Sequence, residues 1–411
     1  MRVQRLELNG FRTYSAEQFL FFPGVTVIVG PNASGKTVLL EAVAFLSRGK
    51  SPRASQDKAM LQWNQSEGKV HLRTLSQSGV YQHVEARFQQ NETQHCRVAF
   101  RLNDKPVKSR SEIIGRVPTV TFFASDLLML RGAPEDRRQL LDQALSQFDP
   151  HHFDLLKRYQ HIKTQKAALL KQAQAGGYVG EMLGILNKQL IEVGAQIIFG
   201  RLAYLRVLSP WMREAYTQMA DGQESLELGY ASTLQETPLT LDTATSLEAL
   251  SVLYQQAIDA AQADEIRRGV VLIGPHRDDI RFTLDDHDAS EFASQGQQRS
   301  IVLAFKAAEL HALRDKLGQE APILLLDDVM AELDTRRQAA LLALFAPDLQ
   351  VLMTTTHLDQ TLSLLHDLEY HVIDVTQSGQ PEYGQQGVSL PDIATDTDIK
   401  RFRSAVAVSG G

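Results

Sequence analysis

The run Gly30-Pro31-Asn32-Ala33-Ser34-Gly35-Lys36-Thr37 constrains this chain more than any other stretch. It follows the β-branched run VTVIV (25–29) and precedes the apolar VLLEAVAFLS (38–47), so the pattern predicts strand, glycine-rich loop, helix. Glycines let a backbone curl until successive N–H groups face one point at a helix start. Lys36 then reaches β- and γ-phosphate oxygens, and the Thr37 hydroxyl is a ligand for Mg²⁺. In that context the loop reads as a nucleotide site.

Such a site needs a carboxylate at the end of a buried strand, and ILLLDD (323–328) supplies two. Asp327 is expected to hold Mg²⁺ through its water shell, and Asp328 to orient or deprotonate the attacking water. Aspartate is one methylene shorter than glutamate, which implies slow hydrolysis. Between the two motifs lies SQGQQRS (294–300), leading into a helix with the stripe Ile301, Leu303, Ala304, Ala307, Ala308 and Leu310. Ser294 has N-cap chemistry, and Gly296 leaves a backbone N–H unshielded, so this helix start is also an anion site. One nucleotide does not need two such starts from one chain. The second is expected to complete the site of another subunit, with an ordinary capped helix as the alternative.

The chain has 411 residues, which suggests two or three domains. Alternating runs between 68 and 123 (GKVHLR, VYQHVEARF, HCRVAFRLN, TVTFFA) suggest an antiparallel sheet attached to the first strand, RVQRLELN (2–9). Helical spacing dominates from about 125 to 268 and ends at Gly269. VVLIG (270–274) reads as a strand returning the chain to an α/β pattern. The expected division is 1–124 and 269–390 for the two parts of an α/β head, 125–268 for a mostly helical insert, and 391–411 for a mobile tail. An insert of this size could extend at most about 100 Å as a two-helix arm, which excludes a long coiled coil. The single cysteine, Cys96, cannot form an intrachain disulfide. With no signal-like N-terminus and no uninterrupted apolar run of about 18 residues, the expectation is a soluble, cytoplasmic protein. The net charge of −7 means that nucleic acid would need a local basic face.

The motif order (phosphate loop, SQGQQR, LLLDD, AELD at 331–334, TTTH at 354–357) resembles the ABC-type ATPase head. That resemblance implies an ATP- and Mg²⁺-dependent head in which a P-loop sheet is joined by an antiparallel β subdomain. It implies that Ser294, Gln295, Gly296, Gln297 and Gln298 contact the γ-phosphate across a head-to-head homodimer, and that Asp334 crosses the same interface. His357 then corresponds to a γ-phosphate sensor, the alternative being a strand-end histidine facing solvent. FFASDLLMLRGAPEDRRQLLD (122–142), GPHRDDI (274–280), SQGQQRS and LLLDDVMAELDTRRQAALL (324–342) narrow the likeness to the RecF family, as does LELNGFRTYS (6–15). The likeness spans about 1–390. It departs from the family pattern at Ala124, at Leu140 and at Lys163-Thr164-Gln165-Lys166. It implies a DNA-binding dimer of recombinational repair, acting at single-strand gaps and junctions. Such a dimer helps load the RecA recombinase with RecO- and RecR-type partners and resets by weak, DNA-stimulated ATP hydrolysis.

Arg12 resembles an arginine that touches the nucleotide phosphates in Rad50-like heads; the alternative is a surface arginine. The ionisable cluster His276, Arg277, Asp278 and Asp279 reads as a hydrogen-bonded turn near the signature helix, over a nucleotide-coupling role. Basic stretches at 101–116 and 157–171 are candidates for DNA, with Arg110, Lys157, Lys163 and Lys166 as contacts and a solvated face as the bland reading. Two further functions stay open: an ATPase subunit of a membrane transporter, and an ATP-bound DNA scaffold with negligible hydrolysis.

Overall fold

The computed structural model describes residues 1–376 and 381–382, except 55, 94, 124, 127–128, 178–179, 221–223, 237–238, 240, 242–245, 319, 346–347 and 366–367. Ala124 and the tail expected at 391–411 lie outside the described residues. β1 (Arg2–Phe11) and β2 (Tyr14–Leu20) form a hairpin, and β3 (Val25–Val29) runs through the phosphate loop into α1 (Lys36–Arg48). β4 (Glu67–Leu75), β5 (Tyr81–Gln90), β6 (Cys96–Leu102) and β7 (Lys105–Pro106) meander back, giving an antiparallel sheet in the order β2-β1-β4-β5-β6-β7. In β1 the buried residues switch from Val3 to Leu6 and Leu8 because the pairing with β4 shifts between Val3 and Arg5.

β8 (Thr119–Phe123) corrects one expectation. It is not part of that antiparallel sheet but pairs in parallel with β12 (Ile323–Asp327). All five of its residues are buried, as a strand covered on both faces requires. The helical region comprises α2 (Pro134–Phe148), α3 (Pro150–Gln174), α4 (Gly180–Met219) and α5 (Leu247–Arg268), with β9 (Leu226–Ala231) inside it. At 40 residues α4 is about 60 Å long, set by the helical rise per residue.

VVLIG is the second correction: residues 270–274 are not a strand. Their backbone is committed to tertiary bonds instead, Leu272 N–H to Glu265 Oε1 at 2.8 Å and Gly274 N–H to Thr233 Oγ1 at 2.8 Å. The chain becomes extended at β10 (Asp279–Leu284), which lies between β9 and β11 (His287–Asp288). After α6 (Ala289–Phe292) and α7 (Gln295–Leu317) come β12, α8 (Thr335–Leu342), β13 (Val351–Thr355), α9 (Leu358–Leu364), β14 (Tyr370–Asp374) and β15 (Pro381–Glu382). The second large sheet runs β15-β14-β3-β13-β12-β8 and is parallel except at β15.

Period-two alternation in this parallel sheet explains the layering. Leu324, Leu326, Val351, Met353, Val120 and Phe122 pack against the helical layer. Ile323, Leu325, Leu352 and Ile28 pack against α1 and the antiparallel sheet. ILLL is apolar at every position because both faces are covered. The helical region does not stand apart: it shares one core with the parallel sheet and α7, and β9 pairs with β10 across the expected boundary at residue 268.

Candidate functional site

The phosphate loop leaves the C-terminal end of β3 and turns through two left-handed residues, Ala33 (φ 64°) and Gly35 (φ 100°). At Gly35 a Cβ would lie 2.7 Å from the Tyr14 hydroxyl, so a side chain is excluded twice over. No side chain caps α1, which leaves its first N–H groups for a ligand. The Lys36 ammonium is buried and donates to the carbonyls of Gly30 at 2.7 Å and Pro31 at 2.9 Å. Two buried hydroxyls beside the loop, Ser34 Oγ and Tyr14 OH, have no hydrogen-bond partner. A polar ligand in the loop would supply one. Asn32 is exposed on the loop's outer turn.

The Thr37 hydroxyl donates to Asp327 Oδ1 at 2.7 Å, and the Thr354 hydroxyl donates to the same oxygen at 2.9 Å. Parallel pairing of β12 with β13 sets Asp327 opposite Thr354. Burial pushes the Asp327 carboxyl above its ordinary range, against the lowering effect of the Thr37 and Thr354 hydrogen bonds. A divalent cation would reverse that shift. Hard oxygen donors of this kind, a threonine hydroxyl and a carboxylate, fit Mg²⁺. Asp328 sits one residue beyond, half-buried, with φ 54° and its N–H on Thr354 Oγ1 at 2.9 Å. A non-glycine residue held in this region is strained, and such strain concentrates at functional positions.

Ser294 caps α7 in a reciprocal box: its Oγ accepts from Gln297 N–H at 3.3 Å, and its own N–H donates to Gln297 Oε1 at 2.7 Å. Ser294 and Gln295 are exposed and Gly296 is half-buried. The side-chain amides of Gln297 and Gln298, both expected to reach a partner's nucleotide, are engaged within the chain. Gln297 also donates to Glu224 at 2.8 Å, while buried Gln298 accepts from Arg131 at 2.7 Å and donates to the Ala293 carbonyl at 2.9 Å. Asp334 is exposed, caps α8 by accepting from Arg337 N–H at 2.9 Å, and pairs with the Arg337 guanidinium. That guanidinium also donates to Ser300 at 2.9 Å and lies where a Gly296 Cβ would point, so Arg337 ties Asp334 to the start of α7. Among the described residues no hydrogen bond or ion pair joins 294–298 to the phosphate loop.

His357 is exposed at the start of α9, two residues beyond β13 and so at the same sheet edge as Asp327 and the loop. Arg12 stands beside the loop with φ 53°, and two of its nitrogens are held by the buried carboxylate of Glu41, at 3.0 and 2.6 Å. The cluster after Gly274 is a hydrogen-bonded turn. Buried Asp278 accepts from the Tyr230 hydroxyl at 2.8 Å and Thr233 N–H at 2.9 Å, and Asp279 pairs with Arg137 at 2.7 Å. His276 Nδ1 lies 2.8 Å from the Tyr159 hydroxyl, and burial followed by the charge of Lys163 lowers its pKa to about 4.

Of the four DNA candidates, one is corrected by its burial and a second is engaged within the chain. Lys166 is completely buried, in an ion pair with Glu265 at 2.6 Å, because its position on α3 faces α5. Arg110 is held by the Gly49 carbonyl at 2.8 Å and by Asp57, over the ring of Phe100. Lys157 is exposed and Lys163 half-buried, both on α3 where it lines a cleft against α2. The sequence reading passed over Thr354, Arg337 and Glu41. Thr354 had a signal in the TTTH run, whereas the other two become visible only through contacts between distant segments.

An AAA-domain family model matches residues 5–262. DNA replication and repair protein RecF of Heliobacterium modesticaldum is 37% identical over 359 residues, 87% of this chain and 93% of that protein. A solved structure of the recombination mediator protein RecF with ATP, from the RecFOR pathway, matches with a TM-score of 0.81 and 27% identity. The match covers 92% of this chain and 96% of that one. An SMC head bound to the C-terminal winged-helix domain of ScpA shares the fold, with a TM-score of 0.50 at 16% identity over 93% and 97% of the two chains. With its loop, acidic strand and capped second helix arranged as above, the chain belongs to the RecF family of DNA replication and repair proteins.

Proposed function

We propose that this chain is an ATP-driven DNA clamp of recombinational repair, which pairs with a second copy around nucleotide and separates after slow hydrolysis. The observation that carries the reading is the meeting of Lys36, Thr37, Asp327 and Asp328 at one sheet edge, with Ser294 exposed on a separate helix start. In this reading Lys36 exchanges the Gly30 and Pro31 carbonyls for phosphate oxygens. The loop N–H groups and Ser34 hold the β-phosphate. Thr37 and Asp327 hold Mg²⁺, which when bound neutralises charge on the β- and γ-oxygens. Asp328 orients the attacking water and accepts its proton, and exposed His357 faces the γ-phosphate side. Ser294, Gln295, Gly296 and Asp334 of one copy close the site of the other. Arg12 contributes through its position beside the loop while Glu41 fixes its geometry.

DNA binding at single-strand gaps and junctions, help in loading RecA, and RecO- and RecR-type partners come to this chain from its family membership and the pathway named for its structural neighbour. Lys157 and Lys163 are the basic candidates that the fold leaves open to a ligand. Phosphate contacts would make binding steeply salt-dependent with little sequence preference. Among the described residues no helix is long and apolar enough to cross a membrane.

Sedimentation with and without ATP and Mg²⁺, on the wild type and on Ser294→Arg, tests the composite site. The expected result is a dimer only with nucleotide and only in the wild type. A wild-type dimer indifferent to nucleotide overturns the reading.

A further inference from the structure

We propose that the cleft between α2 and α3 is a second anion site, built to take a terminal phosphate or a short polyphosphate. Its volume is about 520 Å³, enough for a few phosphoryl groups or one nucleotide and too small for a duplex. Arg48, which lines it, ends the helix that Lys36 begins, so the cleft lies about 18 Å from the phosphate loop by helical rise.

The charge of the lining is the first argument. In a chain of net charge −7, the cleft gathers six cationic side chains against the two carboxylates of Glu135 and Asp142. Asp142 is already neutralised: Arg201 grips it at 2.8 and 2.7 Å, and His152 lies at 2.9 Å. Arg48, Lys50, Arg138, Lys157 and Lys163 remain, with Glu135 alone opposing them across the cleft.

The second argument is that several of these cations are partly or wholly withdrawn from water with incomplete pairing. Arg48 is 94% buried; its Nη1 donates to Gln143 Oε1 at 3.1 Å and its Nη2 pairs with Glu309 at 3.6 Å, but its Nε has no hydrogen bond. Lys163 is half-buried with no hydrogen bond or ion pair to any described residue. Burial, with the charges of Arg138 and Arg277, lowers its pKa against the pull of Glu135. Arg138 is lowered too, by burial and by neighbouring Arg201, and it spends one nitrogen on the Asp278 carbonyl at 2.6 Å. Incompletely paired cations held together at reduced exposure are costly unless an anion joins them. Guanidinium and ammonium donors converging on one volume match the several oxygens and double charge of a terminal phosphate.

The test is calorimetric titration of the full chain with inorganic tripolyphosphate in metal-free buffer. The wild type is expected to bind at two places. Lys36→Met removes the one in the phosphate loop, and Lys157→Gln/Lys163→Gln weakens the other at least tenfold without lowering the melting temperature. Loss of the Lys36-dependent event alone bears on the nucleotide reading above and leaves the cleft standing. Binding that survives Lys157→Gln/Lys163→Gln at full strength, or no event beyond the one that Lys36→Met removes, overturns the proposal. Competition then identifies the source. A 5′-phosphorylated oligonucleotide that displaces tripolyphosphate when its 5′-hydroxyl twin does not assigns the cleft to a nucleic-acid end. Two indistinguishable oligonucleotides assign it to free polyphosphate.

Discussion

Thr37 and Asp327 lie 290 residues apart, yet the Thr37 hydroxyl donates to the Asp327 carboxylate at 2.7 Å. The contact exists because β3, β13 and β12 run parallel and in register, so the loop after one and the acid ending another share an edge of the sheet. Ligand crevices of open α/β sheets form at such carboxyl ends.

Asp327→Asn should therefore stabilise the nucleotide-free protein while disabling it. Burial raises the folded-state pKa of Asp327 above its unfolded value, so the native state holds the proton more tightly. That contribution is present at low pH and lost as pH rises through the folded pKa. Asparagine keeps the acceptor for Thr37 and Thr354 and removes the buried charge. Melting curves should place the variant above the wild type near pH 8, with the gap closing toward pH 4 and below, around the ordinary carboxylate range. A variant that melts lower at every pH contradicts this.

Lys36→Met and Asp328→Ala should separate binding from hydrolysis. In the wild type, ATP with Mg²⁺ at about 100 times its Kd stabilises the fold by about 2.7 kcal/mol. Lys36→Met should lose most of that shift. Asp328→Ala should keep it and lose about 100-fold or more in turnover, the usual contribution of a positioned base. Thermal shift and phosphate release, measured on the same samples, decide it.

Gly274→Ala should barely fold. The backbone there has φ 132°, and a Cβ would lie 2.0 Å from the Tyr254 hydroxyl and 2.3 Å from that of Tyr159. Overpacking and the forbidden dihedral together should cost about 3 kcal/mol or more. Denaturant unfolding would show it, and a midpoint within error of the wild type would sink the assignment of this turn as a packing junction.

Lys166→Ala should behave as a core lesion and not as a DNA-binding mutant. Removing the partner of completely buried Glu265 should cost about 3–5 kcal/mol, whereas Lys166→Met with Glu265→Gln, which removes both charges and keeps the acceptor for Leu272 N–H, should recover part of it. A stable Lys166→Ala protein with a reduced salt slope for DNA would reverse the conclusion.

The legible parts of this chain were those whose chemistry is local. Gly30–Thr37 and ILLLDD could be read because loop curvature, helix start and carboxylate each depend on neighbours in sequence. Ser294 as an N-cap followed from the same kind of rule, and its capping box is present. Misreadings came where a segment's fate depends on what covers it. TVTFF alternates like a half-wet strand but is buried on both faces, and VVLIG has strand composition but gives its N–H groups to Glu265 and Thr233. Lys166 and Arg110 belong to basic runs, yet Glu265 and Asp57 claim them.

By itself, the amino-acid order determined the class of fold, the nucleotide loop and the acids that serve it, because backbone curvature and burial on both strand faces leave direct marks on residue choice. Only the tertiary structure decided which polar side chains remain free. Gln298 turns inward to Arg131, Arg337 reaches from α8 to the start of α7, and Arg48 meets Lys163 in one cleft. The physical reason is that a charge's partner is set by packing between distant segments, and no local rule of spacing encodes it.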